Sequence, residues 1–251
     1  MKRKYEIAVL SKGGFARTVR IYAPKKADRA IIMHDGQNAF CDEDATYKKS
    51  WRALDILKNC KIKNTAVIGV DSVATRMDDY LPYPSTLAEY GMAEIGGGKA
   101  DVYFDFIEQI LIPYLDKRFG FKRYALLGSS AGAIATLCLA ERKLPRVSAY
   151  GIFSTPLFVS SKSYAEFLAN ATFDGDAHYY VYVGGNEYDE ARLREAESNM
   201  YVDDAFTVVK ALRRGGAKNI RLRLENDGVH DEICWHRPAA EFFIDFASLS
   251  D

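Results

Sequence analysis

The chain has 251 residues, 48% of them hydrophobic and 27% charged, which suits one large α/β domain whose core needs neither disulfides nor metal. Lys and Arg total 34 and Asp and Glu total 34, so the formal net charge is zero and the basic excess typical of a nucleic-acid binder is missing. No apolar run approaches the roughly 20 residues a membrane-spanning helix requires, so no membrane partner is expected.

The first residues, Met1-Lys2-Arg3-Lys4, run directly into a strand pattern without the apolar stretch of a secretory signal, so a cytoplasmic protein is expected. Cys41, Cys60, Cys138 and Cys234 are far apart and read as isolated reduced thiols. Residues 5–10 and 17–23 read as strands around a hairpin turn at Lys12-Gly13-Gly14. Residues 29–34 and 65–70 are continuous apolar runs of the kind buried parallel strands show. A helix is expected over 50–58. A long one is expected over 100–119, where Phe104, Ile107, Leu111 and Leu115 share a stripe and Pro113 introduces a kink. Strands at 124–127, 147–153, 179–183 and 220–224 follow, with helices at 131–142, 201–214 and 238–246, the last with Pro238 near its start. This alternation predicts an α/β fold, a mostly parallel central sheet with helices on both faces and an antiparallel N-terminal edge. The whole chain, 1–251, reads as one domain. Residues 72–99 interrupt the rhythm with Pro82, Pro84 and Gly96-Gly97-Gly98, and read either as a pocket wall or as a surface insertion.

Chemistry concentrates in three places. Gly128-Ser129-Ser130-Ala131-Gly132 is G-x-S-x-G between an apolar strand and an apolar helix, the context of a nucleophile elbow. That register makes Ser130 the nucleophile and gives the N–H of Ala131 to an oxyanion. A serine needs a base. His230, in Gly228-Val229-His230-Asp231 after the last strand, is the leading candidate, with His236 the alternative. The acid should lie just after the strand at 179–183. Glu187 is the first choice, ahead of Asp189 and Glu190. His34-Asp35-Gly36-Gln37-Asn38 follows the strand at 29–34. Its Gln37 N–H is the expected second oxyanion donor, unless Asp35 and Asn38 simply cap a turn. Arg76, Tyr80 and Asp35 are candidate substrate contacts. Tyr83 and Tyr90 could join them, or the tyrosines could be loop packing. No metal-binding spacing occurs, and the triple glycine lacks a preceding strand, so neither metal nor dinucleotide is expected.

Together, His34-Asp-Gly-Gln-Asn38, Gly128-x-Ser130-x-Gly132 and Gly228-x-His230-Asp resemble the putative esterase family of α/β-hydrolases. That family includes enterochelin esterases, feruloyl and acetyl xylan esterases, S-formylglutathione hydrolase and mycolyltransferases. Arg76-Met-Asp-Asp-Tyr80-Leu-Pro82 is similar to its R-x-x-E-Y-x-P stretch, with Asp79 where Glu is usual. Ala100-Asp101, Phe106-Ile107 and Ile112-Pro113 resemble its following helix, so the likeness spans residues 17–245. It implies a cofactor-free Ser130–His230–Glu187 triad acting on a small or medium ester. Glu187 stands where many members carry Asp, and some siderophore-esterase members lack a third residue. Acyl transfer and a non-catalytic binding role are the alternatives on the same fold.

Overall fold

In a computed structural model, the protein is described over residues 4–90, 93–187 and 199–250. The described residues form one eight-stranded sheet in the order β1-β2-β4-β3-β5-β6-β7-β8. β1 (Glu6–Lys12) and β2 (Phe15–Tyr22) make the antiparallel edge, and β2 also pairs antiparallel with β4 (Thr65–Val70). β3 (Arg29–His34), β4, β5 (Arg123–Ser129), β6 (Val147–Phe153), β7 (His178–Gly184) and β8 (Asn219–Glu225) run parallel.

The central strands are apolar throughout because successive side chains feed two cores. From β3, Ala30 and Ile32 join one core, while Ile31 and Met33 join the other. β5 divides the same way, with Leu126 on one side and Leu127 on the other. The first core lies under α5 (Ala131–Glu141), α6 (Ser161–Asn170) and α7 (Met200–Arg214). The second lies under α1 (Ala53–Asn59) and the closing helix α8 (Glu232–Ser248), where Trp51 stacks on Trp235 at 5.6 Å.

Three elements differ from expectation. The single helix over 100–119 is α3 (Asp101–Phe106), a π-helical turn (Ile107–Leu111) and α4 (Ile112–Phe119). Proline clashes with the carbonyl four residues back, and the wider π turn ahead of Pro113 relieves that clash. The closing helix begins at Glu232, with Pro238 inside it, because the Asp231 side chain caps it by accepting the Ile233 N–H at 2.8 Å. The sequence reading also passed over α6.

Residues 72–99 are partly built into the core. They contain α2 (Arg76–Tyr80), whose Asp79 is ion-paired to Arg17 on β2. The triple glycine folds back on this segment. Gly98 N–H donates to the Leu81 carbonyl at 2.7 Å, and Gly97 N–H to Asp78 at 2.9 Å.

Candidate active site

The loops at the C-terminal ends of β3, β4 and β5, with the loop beyond β8, surround a cavity of about 920 Å³. Ser130, His230, Asp35, Gln37, Arg76, Asp231, Glu232 and Trp235 line it.

Ser130 sits between β5 and α5 with φ 54° and ψ −130°, a strained conformation for a non-glycine residue. Close packing forces that turn. A Cβ on Gly128 would lie 2.2 Å from the Gly132 carbonyl oxygen. Gly132 is less constrained, since a Cβ there would meet the His34 Cβ at 3.3 Å. The first internal bonds of α5 run from Ala133 and Ile134 to the Ser130 carbonyl, so the Ala131 N–H precedes the helix's own acceptors.

The opposite wall is the 3₁₀ turn Gly36–Asn38, whose first internal bond is Asn38 N–H to Asp35 carbonyl at 2.8 Å. The Gln37 N–H likewise precedes it. This turn presses on β4: a Cβ on Gly36 would stand 2.3 Å from the Gly69 carbonyl carbon. The Gln37 side chain braces it, donating to Ser72 Oγ at 2.8 Å while its carbonyl oxygen accepts the Ser72 N–H at 3.0 Å.

His230 Nδ1 lies 2.9 Å from Glu187 Oε2, and the Glu187 side chain is fully buried. Backbone bonds join the two loops: Gly185 N–H to the Glu225 carbonyl and Asn186 N–H to the Gly228 carbonyl, both at 2.8 Å. Glu187 Oε1 accepts from Gly184 N–H at 2.6 Å and from Ser154 Oγ at 2.5 Å. Ser154, fully buried just after β6 with φ 54°, in turn accepts the Trp235 indole N–H at 2.9 Å. Trp235 also sets its ring edge-on to His230, 4.9 Å between centroids. Sequence reasoning missed this chain through Ser154 and Trp235. The available signal was Ser154-Thr155-Pro156 at the end of a buried parallel strand.

The other candidates separate. His236 Nδ1 pairs with the Trp51 carbonyl at 2.8 Å and is not a cavity-lining residue. Asp189 and Glu190 lie outside the described residues, as does the Tyr90 side chain. Asp35 and Arg76 both line the cavity, but they hold each other in a bidentate pair at 2.7 and 2.8 Å. Burial opposes ionisation of Asp35, but the Arg76 guanidinium outweighs it and keeps that carboxyl below its ordinary range. Tyr80 requires correction as a substrate contact. It is fully buried behind the cavity, where its hydroxyl accepts the Asp35 N–H at 2.9 Å. Tyr83 packs edge-on against Tyr164 at 5.2 Å, on a different cavity. Hence, among the described residues of the 72–99 segment, Ser72, Val73, Ala74, Arg76 and Met77 reach the site. His34 is buried behind the elbow with Nδ1 2.7 Å from the Tyr103 hydroxyl, and burial lowers it to about 4, so it stays neutral near pH 7.

The sequence profile of the putative esterase family matches residues 14–214. The chain belongs to the putative esterase family. As an esterase of α/β-hydrolase fold, it is similar in structure to the siderophore hydrolase EstA from Aspergillus nidulans, with TM-score 0.76, 19% identity and 99% of this chain covering 96% of that one. An IroE-like serine hydrolase from Shewanella oneidensis gives TM-score 0.75 at 18% identity, covering 98% of this chain and 82% of that one. The enterobactin esterase FES from Shigella flexneri gives TM-score 0.71 at 13% identity, covering 98% of this chain and 59% of that one. No curated protein sequence matches the chain.

Proposed function

We propose that the protein is a serine esterase that hydrolyses a small or medium carboxylic ester through an acyl-enzyme. The observation carrying this reading is that Ser130, on its strained strand-to-helix turn, shares a cavity with His230, whose Nδ1 faces a fully buried Glu187. Ser130 Oγ attacks the ester carbonyl while His230 Nε2 takes the serine proton. The carbonyl oxygen becomes an oxyanion held by the N–H groups of Gln37 and Ala131. Glu187 fixes the imidazole with its proton on Nδ1 and stabilises the imidazolium that forms. As the tetrahedral intermediate collapses, His230 returns the proton to the leaving alcohol. Water, deprotonated by His230, then releases the acid and restores Ser130.

Neither nucleic acid nor a metal or organic cofactor has a step in this mechanism. None of the helices among the described residues is long and apolar enough to cross a membrane. A cytoplasmic setting suits the four free thiols. The test is hydrolysis of p-nitrophenyl butyrate, followed by a panel that includes a siderophore ester and S-formylglutathione. Ser130→Ala should lower kcat by on the order of 10⁶. Near-normal activity in that variant, with loss in Ser129→Ala, would show that the motif register is wrong.

A further inference from the structure

Among the described residues, the cavity wall carries three carboxylates, Asp35, Asp231 and Glu232, and two cations, Lys49 and Arg76. Two of the carboxylates are matched: Arg76 clasps Asp35, and Lys49 is ion-paired with Asp231. Glu232 is not. Among the described residues no Lys or Arg lies within ion-pairing distance of it, and its one side-chain partner is an amide, Asn38 Nδ2, 2.9 Å from Oε1. Glu232 is 7% exposed and lines the cavity. Burial raises its carboxyl above the ordinary range, with its own backbone N–H opposing the shift. Lys49 and His230 act on it only from beyond ion-pairing distance and Asp231 and Asp35 oppose them, so this buried carboxylate, with a neutral hydrogen-bond partner, is short of the counter-charge that would offset its desolvation.

We propose that Glu232 recognises a protonated amine on the alcohol half of the substrate, so that the enzyme acts on esters of amino alcohols. The inference rests on the serine-esterase reading above. The proposal assigns Glu232 to the alcohol half because it follows His230 by two residues and lines the same cavity. The base must face the leaving oxygen to return its proton there, so the wall beside it faces the group that leaves. With the other charges matched in pairs, the described residues of the wall are left with an excess of one negative charge. It therefore favours a cationic leaving group over a neutral one and disfavours an anionic one.

The test compares 2-(dimethylamino)ethyl butyrate with 3-methylbutyl butyrate, which has the same shape and no charge. The wild type should favour the amine ester in kcat/KM by about tenfold or more, mostly through KM, as one charged hydrogen bond provides. Glu232→Gln should collapse that ratio to about threefold or less. As a check independent of any variant, 2-(dimethylamino)ethanol should inhibit p-nitrophenyl butyrate hydrolysis by the wild type more tightly than 3-methylbutanol does. A wild-type ratio near one, or a ratio that survives Glu232→Gln, overturns the proposal. If the wild type hydrolyses neither ester nor p-nitrophenyl butyrate, the serine-esterase reading fails, and this proposal with it.

Discussion

Glu187 is held on both oxygens, by His230 on one and by Gly184 N–H and Ser154 Oγ on the other. Replacing it with Gln keeps the shape but lets the imidazole adopt the wrong tautomer, so kcat should fall by about 10² to 10⁴. Ser154→Ala removes a donor to Glu187 and leaves the buried Trp235 N–H without its acceptor. We expect about a tenfold loss in kcat with KM little changed. Because Ser154 acts through Glu187, the same substitution made in Glu187→Gln should add little, and losses that simply multiply would refute the coupling. The elbow allows a second comparison at this scale. Gly128→Ala drives a Cβ into the Gly132 backbone and should cost several kcal/mol or prevent folding, whereas Gly132→Ala requires only a small shift of His34. Thermal melts of the two variants decide it, and equal destabilisation would contradict the packing described. That Ser130 and His230 share a cavity and that Glu187 meets His230 was legible in the sequence, because each follows a strand with turn residues beside it. Ser154 was not, because its role depends on β6 lying beside β7 and on Trp235 reaching across from α8. Tyr80 misled because a tyrosine in a Pro-rich segment reads as half-exposed, whereas a backbone N–H satisfies its hydroxyl in the interior.

Helices and strands were legible wherever apolar periodicity was strong, and their ends were misjudged where capping competed with proline. Asp231 outranks Pro238 as the start of α8, and this matters for function because it sets Glu232 and Trp235 into the cavity wall. α6 escaped detection because its buried positions, Tyr164 and Leu168, are few in a short polar stretch. α7 carries a titratable anchor for the segment that follows β6. Its Asp204 accepts the Phe158 N–H at 3.0 Å, and burial raises this carboxyl from 3.8 to about 7. The folded protein therefore holds the Asp204 proton more tightly than the unfolded chain does. That contribution to stability is complete below about pH 4 and is lost as pH rises to about 7. Asp204→Asn keeps an acceptor for Phe158 and removes the charge. It should raise stability at pH 8 by about 4 kcal/mol and change it little at pH 4. Denaturant unfolding at the two pH values tests this, and an equal effect at both would mean that titration of Asp204 is not responsible.

Across the whole molecule, the sheet separates stability from chemistry. The cavity gathers at the C-terminal ends of the parallel strands, while the opposite ends are fastened to the tail of the chain. Arg29, at the start of β3, is buried and donates to the carbonyls of Phe246 at 3.2 Å and Leu249 at 2.8 Å. Nearby, Asn64 donates to the Ala247 carbonyl at 3.0 Å. These bonds seat the end of α8 on the second core, which shares β3 and β5 with the first. Arg29→Met keeps much of the apolar stem but deletes both carbonyl bonds and the ion pair with Asp28. The expected cost is about 2 to 3 kcal/mol, or a fall in Tm of roughly 4 to 10 °C for a chain of this size. Since Arg29 and His34 stand at opposite ends of β3, kcat and KM for p-nitrophenyl butyrate, measured well below the melting range, should match the wild type. If Tm does not move, the staple contributes nothing. If activity falls together with Tm, the two ends of the sheet are coupled, and the geometry of the Gly36–Asn38 turn depends on how the chain's tail is seated.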